Sequence, residues 1–119
     1  MKTKASILQD IKQLTKYSKD YEDSDSWTAS GSNKIQNTLK LYRKAIIYLE
    51  TNPRQEFVES QLVSSEKRLQ HIVDGFSLWK KATPQMSGMD EKKAKQIYNA
   101  QMGVKAVKTQ ILNLKYILS

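Results

Sequence analysis

The chain contains no cysteine among its 119 residues. That absence excludes disulfide staples, thiolate nucleophiles and cysteine metal sites, and it fits a reducing compartment. Proline is nearly as scarce, with two, and the four glycines, Gly31, Gly75, Gly88 and Gly103, are scattered. None belongs to a Gly-rich loop ahead of Lys-Ser/Thr, so nucleotide hydrolysis has no phosphate-loop motif to rest on. Long apolar runs are missing too. The longest, Ala45 to Leu49, falls far short of the ~20 residues that span a bilayer. Asp10 and Lys12 interrupt any N-terminal stretch that would serve as a signal-peptide core. The expectation is an intracellular (cytoplasmic) protein, free or incorporated into an assembly made in the cytoplasm.

There is one histidine, His71, and no nucleophile with an orienting carboxylate can be assigned to it, so it reads as a surface histidine and not a catalytic base. The acidic tract Glu22, Asp23, Asp25 lacks the calcium-loop pattern. Counted from Asp23, the sixth and twelfth positions are Thr28 and Lys34, where that loop needs Gly and Glu. Glu56 and Glu59 fit the first turn of a helix, favoured there by the helix dipole. The sequence therefore predicts no enzyme, no metal, no cofactor and no small-molecule ligand.

What is present is helical period and positive charge. Apolar residues make up 39% and charged residues 27%, the balance of a folded helical domain and not of a disordered tail. Ile7, Ile11 and Leu14 lead a first series after a capping pair Ser6 and Gln9. A second series, Ile35, Leu39, Tyr42, Ile46 and Leu49, follows Asn33 and Gln36 as its cap. Asn52-Pro53 stops one helix and starts the next, because Pro disfavours helix before it and suits the first helical position. Val58, Leu62, Ser65, Leu69, Ile72, Phe76 and Trp79 then alternate steps of four and three. Ile97, Ala100, Val104, Val107, Ile111, Leu114 and Leu118 repeat the pattern to the C-terminus, after a turn marked by Pro84 and Gly88.

Seams with a seven-residue repeat keep facing a neighbour only when helices cross at shallow angles. The expected fold is accordingly all-α, a single domain over 1–119 forming an antiparallel four-helix bundle. Its helices run over about 4–21, 33–51, 53–83 and 90–118, with a loop over 22–32. The last two, near 30 residues and roughly 45 Å each, outreach the first two, leaving part of the long hairpin without cover.

The last helix carries a second series, Tyr98, Met102, Lys105, Thr109, Leu112 and Tyr116, about 150° from the first by the 3.6-residue period. A helix with two apolar faces has neighbours on both. Tyr98, Met102, Leu112 and Tyr116 are thus candidate partner contacts. Trp27, in the Ser-rich loop, is either a plug folded on the bundle end or an anchor for a partner. The function these features point to is a non-catalytic structural or interaction subunit, docking on another protein or on copies of itself. Small assembly components, including those of phage or viral particles, have this character.

The alternative is a non-specific nucleic-acid binder. The net charge is +8, and Lys40, Arg43 and Lys44 lie at i, i+3 and i+4 away from the seam of the second helix. Lys67-Arg68, Lys80-Lys81 and Lys92-Lys93-Lys95 add smaller clusters elsewhere. The helices are too long and their hairpins too tight for a helix-turn-helix, so such binding is backbone-directed.

Overall fold

Thr3 starts the first helix. Its hydroxyl accepts from the Ser6 N–H at 3.2 Å while the Ser6 hydroxyl accepts from the Thr3 N–H at 2.8 Å, a reciprocal cap one turn earlier than the Ser6–Gln9 pair. In the computed structural model, which describes residues 1–119, that helix is α1, Lys4–Glu22. It is followed by α2 (Ala29–Thr51), α3 (Gln55–Ala82), the single turn α4 (Pro84–Ser87), α5 (Glu91–Gln101) and α6 (Val104–Leu118). The chain is all-helical, with 84% of residues in helices and no strands. Six helices replace the four expected from the sequence. No helix is long and apolar enough to cross a membrane.

Two boundaries move for local reasons. The second helix begins at Ala29, not Asn33, because Thr28 caps it by accepting from the Gly31 N–H at 3.0 Å. Tyr21 fixes that cap. Its hydroxyl accepts from the Thr28 N–H at 2.9 Å and lies 3.1 Å from the Thr28 hydroxyl, so the expected 22–32 loop shrinks to the turn Asp23–Thr28. A Cβ at Gly31 would sit 2.1 Å from the Tyr21 hydroxyl, which explains a glycine in a first helical turn. At the next connection, Arg54 supplies the carbonyl that receives the Val58 N–H at 3.2 Å, and α3 starts two residues after Pro53 instead of on it.

The larger correction is the break in the expected 90–118 helix. Gly103 takes φ +67°, the left-handed conformation that ends a helix and that a side chain disfavours by roughly 1–2 kcal/mol. The Met102 N–H closes on the Tyr98 carbonyl at 2.9 Å and the Gly103 N–H on that of Ala100 at 3.3 Å, after which α6 starts afresh. The break changes the buried positions before Gly103 and leaves the expected seam after it. The buried residues are Ala94 and Tyr98 in α5, then Val104, Val107, Ile111, Leu114 and Ile117 in α6, whereas Ala100 is exposed.

The chain divides into two compact units. The terminal unit comprises Met1–Glu59 with Asn113–Ser119, and the middle unit Ser60–Leu112. In the terminal unit α1 and α2 pack as an antiparallel hairpin: Tyr21 meets Thr28 at one end and Lys4 pairs with Glu50 at 3.3 Å at the other. Ile7, Leu39, Ala45, Leu49, Val58, Leu114 and Ile117 are its buried apolar residues. In the middle unit Phe76, Ala94 and Tyr98 form a core cluster, with Ile72, Trp79 and Met89 packed on it. Gly75 has a reason there. A Cβ would lie 2.9 Å from the Tyr98 hydroxyl, which donates to the Ile72 carbonyl, so the helix accepts the roughly 0.5–1 kcal/mol cost of an interior glycine to admit the tyrosine.

Candidate functional site

Five residues of α3, Ser64, Lys67, Arg68, His71 and Ile72, fall at i, i+3, i+4, i+7 and i+8 and so form one stripe. In the middle unit this stripe faces Tyr98 of α5 and Met102 just beyond it, and the seven side chains line an open groove of about 500 Å³. The floor is apolar: the Ile72 side chain, the Tyr98 ring and the Met102 thioether. The rim is cationic. Lys67 and Arg68 are exposed and neither forms an ion pair. Unpaired cations beside an apolar floor are chemically suited to an anionic group that also carries an aromatic or aliphatic part.

The expected second face of the last helix does not survive as one surface. Tyr98 is only 4% exposed, and its edge meets Phe76 at 5.4 Å, so most of its ring belongs to the core and little of it remains to line the groove. Met102, 37% exposed, stands at the helix break and closes the groove. Leu112, 60% exposed, lines a different apolar groove of about 380 Å³ with Val104, Lys105 and Lys108. Trp27, just before the Thr28 cap in the Asp23–Thr28 turn, is 47% exposed, so about half of it remains open. Lys40, Arg43 and Lys44 are all exposed on α2, one turn from the exposed Ile47. His71 is exposed, as expected of a surface histidine.

Tyr116 is used inside the terminal unit. Its hydroxyl donates to Asp10 Oδ2 at 2.5 Å, its ring stacks on Tyr42 with centroids 4.5 Å apart, and Lys2 Nζ lies 5.0 Å over it. Lys2 also pairs with Asp10 at 3.1 Å, and its N–H donates to the Ile117 carbonyl at 2.6 Å. The Tyr116 hydrogen bond, then that of Lys2, holds the Asp10 carboxyl below the usual carboxylate range. Burial, then Asp10, pushes the Tyr116 hydroxyl well above the usual tyrosine value. Each polar group is thereby committed to another, which makes this cluster a clasp between the chain's ends and α1.

The clasp has a pH signature. A carboxyl with a lowered folded-state pKa stabilises the fold fully above its unfolded value, and that contribution is lost as pH falls through the lower folded-state value. Asp10→Asn is expected to cost about 1 kcal/mol near neutral pH, the difference between a charged and a neutral acceptor. Thermal melts from about pH 7 down to about pH 2 test this, since the gap must narrow once the pH drops below the ordinary carboxylate value and toward the lower folded-state one. A gap that stays constant over that range rules out the clasp as its source.

The groove was only half visible beforehand. Lys67-Arg68 was recognisable as charge and His71 as a surface residue, and the stripe spacing from Ser64 to Ile72 was the signal that they share a face. Nothing local announced that Tyr98 and Met102 would form the opposite wall. No group of three or more His, Asp or Glu side chains is placed to hold a metal ion. No protein-family model, curated protein or solved structure matches the chain.

Proposed function

We propose that this protein is a non-catalytic interaction subunit, a helical bundle that docks on a partner protein, or on copies of itself, through the basic groove of its middle unit. The single observation behind this reading is the pair Lys67 and Arg68, exposed and without ion pairs, around the floor of Ile72, Tyr98 and Met102. Charged rims steer encounter and apolar centres supply binding energy, the division of labour found at protein interfaces. The Lys67→Glu/Arg68→Glu variant tests it. A partner recovered with the wild-type chain from its host and identified is expected to bind the purified variant at least about tenfold more weakly, and more weakly still as salt screens the rim. Equal affinity for both proteins would place the docking surface elsewhere.

A second reading, backbone-directed nucleic-acid binding, is favoured by Lys40, Arg43 and Lys44 standing exposed together on α2. Its signature is distinct. Affinity for duplex DNA falls with salt at a log-log slope of about −0.9 per phosphate neutralised, and replacing the three cations flattens that slope. Absence of binding near physiological salt removes this reading and leaves the first untouched.

A further inference from the structure

We propose that the occupant of the basic groove is the acidic, Trp27-bearing turn Asp23–Thr28 of a second copy of this chain, an inference that rests on the groove being a protein-docking site. Charge complementarity carries it. Residues 22–32 hold Glu22, Asp23 and Asp25 and no basic residue, in a chain whose net charge is +8. All three carboxylates are exposed, and none is in an ion pair. The groove supplies what this turn lacks: two unpaired cations. It supplies an apolar floor beside them, which matches the half-exposed indole of Trp27.

The turn is built before it binds. Trp27 donates its backbone N–H to the Ser24 carbonyl at 3.3 Å, and the Ser24 hydroxyl donates to the Tyr21 carbonyl at 2.8 Å. The Thr28 cap, held by Tyr21, closes the other side. A preorganised turn loses little conformational freedom on docking, so more of the gross interaction appears as affinity. In the groove the indole meets Ile72 and Met102 while Arg68 reaches its face, so that the exposed half of the ring leaves water. Turn and groove are different surfaces, so a single contact of this kind leaves one of each unsatisfied, and association ends only in a closed, symmetric assembly.

The test uses two variants with complementary defects. Trp27→Ala keeps the groove and spoils the turn, whereas Lys67→Glu/Arg68→Glu keeps the turn and spoils the groove. Sedimentation at low salt is expected to show concentration-dependent association of the wild-type chain that weakens as salt rises, and at least about tenfold weaker association for each variant alone. Mixing the two variants restores one contact and yields a heterodimer. Circular dichroism confirms that each variant keeps its helices, and Asp23→Lys/Asp25→Lys replaces Trp27→Ala if that protein does not. A wild-type chain that stays monomeric at hundreds of micromolar, or a mixture that does not associate, overturns the second copy as occupant. If the groove variant still loses a different protein partner, the docking reading stands and only the occupant is wrong. If instead it loses only a single-stranded oligonucleotide, both are overturned.

Discussion

Replacing Tyr98 by Ala is expected to lower stability by about 3–5 kcal/mol, the usual cost of truncating a buried aromatic. The side chain is 4% exposed and stands at the centre of the middle unit. Its ring meets Phe76 at 5.4 Å edge-on and Trp79 at 5.1 Å, and the hydroxyl donates to the Ile72 carbonyl. Three effects add: lost transfer energy, lost aromatic pairing, and a cavity that rigid helices close poorly. Tyr98→Phe isolates the hydroxyl. The Ile72 carbonyl belongs to the interior of α3, so it keeps a backbone partner and the loss is about 1 kcal/mol. Urea denaturation followed by near-ultraviolet circular dichroism measures both. Segment-resolved hydrogen exchange locates the effect, which is expected to be largest over residues 60–112. A cost below about 1 kcal/mol for the alanine variant would show that the cluster is not the core of this unit.

That residue also marks where sequence reasoning stops. The long series of α3 reads correctly from Val58 to Trp79: Val58 and Phe76 are buried, and Leu62, Leu69, Ile72 and Trp79 are partly so. Apolar period within one helix is local information, and it was legible. Period across Gly103 was misleading, because Ala100 and Val104 stay four apart whether or not the helix breaks between them. A glycine inside an apolar series is compatible with both, and only the left-handed φ of Gly103 distinguishes them. Beyond the break the expected seam holds, with Val104, Val107, Ile111 and Leu114 buried, whereas before it Tyr98 turns inward and Ala100 turns out. The start of α2 failed for a related reason. Thr28 and Asn33 are both good caps, and the choice falls to the Tyr21 hydroxyl, seven residues upstream of Thr28. The candidate site divides the same way. Charge on one helical stripe is written in the spacing of Ser64, Lys67, Arg68, His71 and Ile72, but the opposite wall depends on where α5 lies, which no local rule supplies. Asn113 is the plainest miss, a polar residue buried between Leu112 and Leu114 with its Oδ1 unpaired.

Leu114→Ala and Leu112→Ala set the two faces of α6 against each other. Both are leucines, two residues apart on one helix, and sequence period placed both on apolar faces. Leu114 is 0% exposed in the terminal unit, whereas Leu112 is 60% exposed. Helix propensity changes equally in the two substitutions, so any difference between them reports burial alone. Leu114→Ala is expected to cost about 2–5 kcal/mol, through transfer energy and a residual cavity. Leu112→Ala is expected to stay within about 0.5 kcal/mol. For a domain of ordinary marginal stability, the first change alone removes a large part of the folding free energy. Parallel urea titrations decide the matter, and they are best run across protein concentration. A Leu112 variant whose cost grows as the protein is concentrated would mean that its face is covered by another copy in solution, whereas a large cost at every concentration would mean that α6 is turned the other way in the folded chain.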